Sequence, residues 1–572
     1  MPALFRSTLA PFFAACLLSA CSDPAPPVRN GRSGGLFNLN ETEELRSIFP
    51  LTLTQASARR IAGQIYEGLV RFDPKDLSIQ PGLAESWDID EAGTTYIFHL
   101  RKGVHFHDDP AFPEGRGREV MAADVVDCFN RVCTHGEGDQ TFRLFQDLVV
   151  GASARYAASA DEPNAPALEG VMAVDEHTVR IQLTRRTPLF LMILADAGCW
   201  IHPRELTMAY GKDLMVHAIG TGPFMLRTAR TGEAMVLQRN PEYWATDSSG
   251  VRLPYLDGIR VTFSPNKVHE TAQFMNGNLT ILDKPPTGET DVLKDSIGAD
   301  GKPRFIYRSI PSFSVQYYGF NGTKPPFNDP RVRRAFGMAI DRRSLVDSVL
   351  SGAAVAALHG LIPPGAADYP YDRVPGVPYA PDSARRLLRE AGYPDGQGLP
   401  PLTLQVNNDG YRYVAVAEAV QEMLHEQLGV AVTLSVLPAR QHYARIEAGG
   451  AALWRGGWIA DHPDPANFLS MLYGQYAVTD TSLPSGFNTT RYKDPVFDPL
   501  YTEAGITTGV RERMDLLAAA EERLMQDLPV IPLYHERSVR LMQPYVRDLF
   551  LNPMELLDLT RVWFDPATRP VR

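Results

Sequence analysis

The sequence predicts a large α/β protein built around a parallel sheet. The chain has 572 residues, more than one hydrophobic core usually supports, so two or three domains are expected. Residues 402–406 alternate as a strand, apolar residues recur at helical spacing over 413–428, and residues 430–436 alternate again. A strand, a helix and a strand in this order form a βαβ unit, whose two strands are parallel.

Composition narrows the class of protein. Apolar residues make up 44% of the chain, charged residues 22%, and the formal net charge is -11. The first two values are those of an ordinary globular protein. The acidic balance argues against a general nucleic-acid binder, so no nucleic-acid partner is expected.

The N-terminus predicts a targeting segment. Arg6 precedes an apolar run over residues 9–20, which is too short to span a bilayer and is typical of a signal peptide. The run ends in Leu18, Ser19, Ala20 and Cys21, which resembles the lipobox of bacterial lipoproteins. The resemblance implies cleavage before Cys21 and a lipid on its thiol, followed by a Pro- and Gly-rich flexible tether over residues 21–35. An ordinary secretory signal with an incidental cysteine is the alternative.

Two hairpins are predicted in the first third of the chain. Residues 86–89 and 95–100 flank a turn from Asp90 to Gly93, and residues 174–183 form the second hairpin. The stretch between them, residues 152–168, is rich in Ala, Ser, Asp and Pro and predicts a surface loop.

Three cysteines lie beyond the predicted leader and its Cys21. Cys128 and Cys133 are five residues apart on a predicted helix, about 140° of rotation, so they point in different directions. Cys133, at the helix end, is freer to reach Cys199, and we predict a Cys133–Cys199 disulfide. No CxxC or paired-His spacing accompanies these thiols, so neither a metal site nor a cofactor is predicted.

A candidate site follows the next predicted strand, residues 451–458. Gly457 leaves room for close approach, Trp458 supplies a flat apolar wall, and Asp461 supplies a negative charge past the strand end. In open α/β sheets ligands bind outside the carboxyl ends of the strands. We therefore predict a site for a small cationic group, with a proline-kinked structural loop as the alternative. An amphipathic helix over residues 511–528 and a strand over 530–534 complete the predicted elements.

Motifs along nearly all of the mature chain resemble those of one family. They share no single decisive signature, but their joint order is specific; they lie at residues 65–70, 82–87, 98–107, 123–126, 220–224, 240–244, 328–342, 385–396 and 457–461. In this respect the chain is similar to family 5 extracellular solute-binding proteins, the oligopeptide- and dipeptide-binding receptors of ABC transporters.

The resemblance implies a type II periplasmic-binding-protein fold. Two α/β lobes joined by two crossing strands would close around a ligand in a hinged cleft. Lobe I would comprise residues 36–71, 171–310 and 535–572, an extra domain residues 72–170, and lobe II residues 311–534.

The resemblance also implies roles for the site residues and partners. Asp461 would pair with the N-terminal ammonium of a peptide, Gly457 would contact the peptide backbone, and Trp458 would close the wall. The residue that binds the far carboxylate is not identifiable, and Arg491 is a weak candidate. A monomeric lipoprotein, held at the membrane by its lipid in the periplasm, would deliver peptides to an ABC permease without chemistry.

Other functions are considered beside this one. The same fold could bind a nickel chelate, haem, a sugar or an opine, or act as a surface receptor. A peptide hydrolase is the weaker alternative, because no Gly-x-Ser-x-Gly elbow, P-loop or His-Glu-x-x-His motif is present. His105 and His107 alternate along a strand-like segment but lack a third metal ligand in the sequence.

Overall fold

The computed structural model describes most of the chain. The described residues are 28–29, 31–162, 165–211, 213–214, 216–230, 233–286, 288–298, 301–408, 410, 412–478 and 480–569. The predicted signal peptide, residues 1–20, and Cys21 lie outside them.

The strands are β1 (Val28–Arg29), β2 (Arg32–Ser33), β3 (Leu36–Glu41), β4 (Val70–Phe72), β5 (Ile79–Pro81), β6 (Ala84–Ile89), β7 (Thr95–Leu100), β8 (Val171–Asp175), β9 (Thr178–Gln182), β10 (Phe224–Arg230), β11 (Ala234–Arg239), β12 (Gly258–Phe263), β13 (Ile281–Asp283), β14 (Ile306–Pro311), β15 (Ser314–Phe320), β16 (Ala354–Ala356), β17 (Leu402–Asn407), β18 (Val432–Leu437), β19 (Leu453–Ile459), β20 (Val530–Met542), β21 (Val546–Arg547) and β22 (Trp563–Phe564).

The helices are α1 (Ala56–Ala62), α2 (Ala122–Val132), α3 (Ala152–Ala158), α4 (Phe190–Leu194), α5 (Arg204–Tyr210), α6 (Lys267–Met275), α7 (Glu289–Lys294), α8 (Pro330–Ala339), α9 (Arg342–Ser344), α10 (Pro381–Glu390), α11 (Tyr413–Leu428), α12 (Ala439–Glu447), α13 (Ala466–Ser470), α14 (Phe497–Ala504) and α15 (Val510–Asp527). Short 3-10 turns include Phe142–Leu144 and Ala197–Cys199.

Two large hydrophobic cores organise these elements. The first core joins residues from Phe37 through Ile281 with residues from Met542 to Phe564. It packs against two sheets, one in the order β10-β11-β12-β3 and one in the order β6-β7-β9-β8. The second core runs from Phe313 to Tyr534, with Leu77 as an additional member. We call the parts built on these cores the first body and the second body.

The predicted βαβ unit is confirmed in the second body. β17 pairs with β18 in parallel, from Leu402↔Val432 to Asn407↔Leu437. Between them α11 ends at Gly429, whose φ of 68° is the left-handed conformation that favours glycine at a helix end. The sheet is mixed rather than all parallel, because β15 lies antiparallel to both β19 and β20.

Two strand connections join the bodies. β20 is 13 residues long, pairs with β15 through Val530 to Tyr534, and pairs with β14 through Arg537 to Met542. β14 continues into β15 after Ser312 and Phe313, where Ser312 N donates to Glu536 O at 2.9 Å. The two bodies are therefore joined by a hydrogen-bonded crossing of two strands, and the architecture is that of type II periplasmic binding proteins.

The structure differs from the predicted divisions in three places. Residues 171–182 pair with the first hairpin, as in Tyr96↔Ile181, so they extend the predicted extra domain rather than starting lobe I. Residues 32–33 form β2, which pairs with β22 through Ser33↔Phe564, so the predicted flexible tether is wrong for this stretch. Residues 152–158, predicted as loop, form α3. The pairings join residues far apart in sequence, which local composition does not reveal.

The predicted Cys133–Cys199 disulfide is wrong for this structure. Cys128, Cys133 and Cys199 are all free thiols, and all three are buried. Cys133 caps α2, where its N–H donates to Phe129 O and Asn130 O. Burial raises the pKa of Cys133 to about 12 and that of Cys199 well above its ordinary value, which disfavours the thiolate that disulfide formation needs.

Candidate ligand-binding site

The predicted site residues lie together at the end of β19. Gly457 and Trp458 belong to the strand, and Asp461 follows its last residue, Ile459, by two positions. β17 pairs with β19 only at Leu404↔Leu453 and Gln405↔Trp454 within the described strands. From residue 455 onward the described β19 no longer pairs with β17, and Arg455 O instead lies 2.9 Å from His442 Nε2.

Asn467 holds Trp458 and Asp461 in place. Its Oδ1 accepts from the indole Nε1 of Trp458 at 2.7 Å and from the backbone N of Asp461 at 3.4 Å. Its Nδ2 lies 3.3 Å from Nδ1 of His462 and donates to it. Asn467 is buried in the first turn of α13, so one amide holds three residues of the site, Trp458, Asp461 and His462. Nothing in the sequence pointed to this residue beyond its position six residues after Asp461.

Asp461 faces the first body. Its Oδ2 lies 3.5 Å from Nη1 of Arg143, with the side chains 42% and 56% exposed, respectively. Arg143 belongs to the 3-10 turn Phe142–Leu144, whose Phe142 and Leu144 pack against the first core. The pair therefore crosses from one body to the other, and its exposure leaves the Asp461 carboxylate accessible to a competing cation.

A side chain at position 457 would displace the ends of two neighbouring side chains. A Cβ there would lie 2.6 Å from Gln316 Oε1 and 2.8 Å from Arg455 Nη2. These two atoms are themselves hydrogen-bonded, since Arg455 Nη2 donates to Gln316 Oε1. Gly457 was predicted to allow the close approach of a ligand. In the structure the atoms that approach it closely are those of Gln316 and Arg455.

Arg455 is a functional candidate that the sequence argument missed. Its side chain is buried, it lies over the Tyr413 ring at 3.4 Å, and it donates to Asn407 Oδ1 at 3.3 Å. Among the described residues no carboxylate forms an ion pair with Arg455. Gln316 links it to Glu536, because Gln316 accepts from Arg455 through Oε1 and donates to Glu536 through Nε2. Strand alternation could have pointed to Arg455, because residues 455 and 457 lie on the same face of β19.

An exposed aromatic group continues the wall that Trp458 begins. Trp458 meets Phe487 edge to face with ring centroids 5.6 Å apart, and Phe487 meets Tyr476 at 5.2 Å. Phe487 and Tyr476 are 43% and 49% exposed, so this group presents apolar surface rather than filling the core.

Asp464 and Arg491 have structural partners instead of an open face. Asp464 is 2% exposed and accepts from Arg513 Nη1 at 2.6 Å and Nη2 at 2.8 Å. Arg491 donates to the carbonyls of Val478, Asp480 and Leu483 and so ties down the loop that carries them.

His462 and His107 are similarly engaged. Burial lowers the pKa of His462, against the opposing effects of Asp464 and Asp461. His107 is buried with its Nε2 2.9 Å from Gly222 O, and burial lowers its pKa to about 4. Within the described ranges no group of three metal-ligating side chains is found.

Two bodies joined by crossing strands, with an accessible acid between them, define a two-lobed solute-binding protein of the type II periplasmic class. A sequence profile described as bacterial extracellular solute-binding proteins, family 5 (middle), matches residues 78–480. The chain belongs to this family.

Individual relatives match most of the chain. Di/tripeptide-binding protein 1 of Pseudomonas aeruginosa (strain UCBPP-PA14) is 28% identical over 504 residues, covering 86% of this chain and 88% of that relative. Heme-binding protein A of Haemophilus influenzae is 28% identical over 504 residues, covering 86% and 85%. The periplasmic binding protein DppA from Helicobacter pylori, solved with the peptide STSA, has a TM-score of 0.71 at 25% identity and covers 94% of this chain and 99% of its own.

No helix in the described part of the chain combines the length and apolar character that a membrane crossing requires.

Proposed function

We propose that this protein captures short peptides in the cleft between its two bodies and delivers them to an ABC permease. The observation that carries the proposal is the accessible Asp461 carboxylate, held past the end of β19 and facing the first body. The relatives named as di- and tripeptide-binding proteins, and the DppA structure with its peptide, support the same ligand class.

Asp461 would pair with the N-terminal ammonium of the peptide. An ammonium enclosed in a cleft needs a counter-charge, because an isolated buried ion costs several kcal/mol. Asn467 supports this role by fixing the backbone of Asp461 and the neighbouring indole before any ligand arrives.

The peptide backbone would run past Gly457 along the part of β19 that does not pair with β17. Strand addition to a sheet edge satisfies main-chain groups whatever the peptide sequence. The Arg455 guanidinium lies beside Gly457. Gly457 is four residues before Asp461, a distance of roughly 13 Å along an extended chain. A buried cation at that distance suits the terminal carboxylate of a peptide of about three or four residues.

Capture would proceed by closure of the two bodies about the crossing of β14–β15 and β20. Contacts from both bodies favour the closed state, and even micromolar affinity corresponds to about 8 kcal/mol, ample to shift such an equilibrium. The same proposal has the protein acting as a periplasmic monomer anchored through a lipid on Cys21, and not as an enzyme.

Native mass spectrometry of the purified protein tests the ligand class. A ladder of co-purified peptide masses is the expected result, whereas one haem or metal chelate would replace the peptide proposal with the non-peptide alternative. Cleavage products after incubation with peptides would instead revive the hydrolase alternative.

Isothermal titration with trialanine and N-acetyl-trialanine tests the role of Asp461. The free peptide should bind and the acetylated peptide should bind at least about 100-fold more weakly, because it lacks the ammonium. Equal binding of the two peptides would remove the proposed role of Asp461.

A further inference from the structure

Arg143 is placed to compete with a ligand for Asp461. Its Nη1 lies 3.5 Å from Asp461 Oδ2. Among the described residues Arg143 makes no other ion pair. A ligand ammonium that pairs with Asp461 would therefore take the carboxylate that Arg143 now uses.

The turn that carries Arg143 is firmly seated. Phe142 stacks on Tyr156 with ring centroids 3.9 Å apart. On the other side, a Cβ added at Gly198 would lie 2.7 Å from Thr141 Cγ2 and 2.9 Å from Leu144 Cδ1, so the two turns are in close contact. Arg143 thus reaches across the cleft from a turn that is packed on both sides.

If a ligand ammonium replaces Arg143 as the partner of Asp461, the positive charge of Arg143 is left beside the ligand. An exposed pair at this separation contributes little stability, so an ammonium can displace it. The displaced guanidinium then lies next to a second cation in a closing cleft. Asp196 of the first body caps the turn Ala197–Cys199 by accepting from Gly198 N at 2.8 Å, and among the described residues it forms no ion pair with Arg143. A carboxylate on the ligand would restore the pairing.

We propose that Arg143 is a specificity-determining residue that favours ligands carrying a carboxylate within about one residue, roughly 3–6 Å, of their ammonium. This inference rests on the proposed function of Asp461. The carboxylate has two sources, the side chain of a first-position Asp or Glu, or the C-terminus of a very short peptide. Arginine suits either source, because its planar guanidinium matches a carboxylate with two parallel donors.

Matched peptides separate the two sources by isothermal titration. Glu-Ala-Ala and Gln-Ala-Ala have the same size and differ in the first side chain's charge, while Ala-Ala and Ala-Ala-amide differ at the C-terminus. The wild-type protein should favour the charged member of at least one pair by about five- to tenfold. The Arg143→Gln variant should bring that ratio to about one.

Arg386→Gln is the matched control. Arg386 is 66% exposed and lies 3.9 Å from Glu390 on the surface of α10, so its loss should leave both ratios at the wild-type value. Arg143 is itself more than half exposed, so Arg143→Gln should keep the wild-type melting temperature.

The outcomes distinguish this inference from the proposed function. A ratio that falls only for the Glu/Gln pair, or only for the acid/amide pair, supports the inference and identifies the source of the carboxylate. Wild-type binding without any preference, or a preference that Arg143→Gln retains, overturns the inference alone. Failure of the wild-type protein to bind any of the four peptides overturns the proposed function as well.

Discussion

Replacing Asp461 and Asp464 by asparagine should affect different properties of the protein. The Asp464 variant should lose stability, and the Asp461 variant should lose ligand binding. Asp464 is 2% exposed and holds Arg513 through two hydrogen bonds of 2.6 and 2.8 Å. The Asp461 side chain is 42% exposed, and its one ion pair among the described residues is the 3.5 Å contact with Arg143. Replacing each by asparagine removes one charge at nearly constant volume, so the comparison isolates the environment of the charge.

The structure sets the expected magnitudes. Asp464→Asn leaves Arg513 buried without its counter-charge, which should lower the free energy of unfolding by about 3–5 kcal/mol. For a body of this size that corresponds to a fall of roughly 10 °C in melting temperature. Asp461→Asn breaks an exposed pair worth below about 1 kcal/mol and should shift the melting temperature by about 2 °C or less. The same variant should weaken trialanine binding by about 100-fold or more, because the ligand ammonium loses its counter-charge.

Thermal unfolding followed by circular dichroism and titration with trialanine provide the two measurements. The reasoning is refuted if Asp464→Asn melts within about 2 °C of the wild-type protein, or if Asp461→Asn melts as low as Asp464→Asn. Measuring binding well below both melting temperatures keeps a loss of affinity from being confused with unfolding.

Two further predictions concern pH. Burial lowers the pKa of three histidines, His107, His202 and His535, to about 4. The stability that they confer as neutral groups is present above about pH 6.5 and is lost as the pH falls toward 4. The denaturant midpoint should fall over the same pH range. Burial instead raises the pKa of Glu521 to about 7, so the wild-type protein loses up to roughly 3 kcal/mol from this group as the pH rises from 4.5 through 7. Glu521→Gln should therefore gain stability relative to the wild-type protein between pH 5 and pH 8 in urea titrations, and a pH-independent difference would contradict this.

Elements with local signals were predictable from the sequence. The alternation and helical spacing of β17, α11 and β18 come from residues within one or two turns of each other. The first hairpin also carries its own turn chemistry, because Gly93 has a φ of 69° and the Asp90 carboxylate accepts from the backbone N of Thr94 and Thr95. Local physics decides such elements, so a single sequence suffices to find them.

Contacts between distant segments were not predictable. Arg143 and Asp461 belong to different bodies, and nothing in either segment indicates the other. The strand predicted over residues 530–534 continues as β20 to Met542, through a stretch that includes polar residues. Those polar residues are accommodated by partners from other segments: Asp283 pairs with Arg540, and the Ser314 carbonyl lies 3.0 Å from His535 Nδ1.

The scattered family motifs acquire a common reason in three dimensions. Glu67, from the segment at 65–70, accepts hydrogen bonds from Thr221 at 2.9 Å and from Tyr243 at 2.8 Å. Trp244 Nε1 donates to the same carboxylate at 3.0 Å. Three motifs that are far apart in the sequence therefore meet at one buried acid, whose pKa burial raises against these donors. Sequence order alone showed that the motifs occur together but not what they share.

The arrangement of the cores has a consequence for synthesis. The first core needs both ends of the described chain, as Phe37 stacks on Phe564 with ring centroids 6.4 Å apart. The second core is drawn, apart from Leu77, from one continuous stretch between Phe313 and Tyr534. On the ribosome the second core can thus be completed before the first core, which includes residues up to Phe564. The first core therefore cannot be completed until translation is almost finished, although its sheet β6-β7-β9-β8 is drawn wholly from residues 84–182.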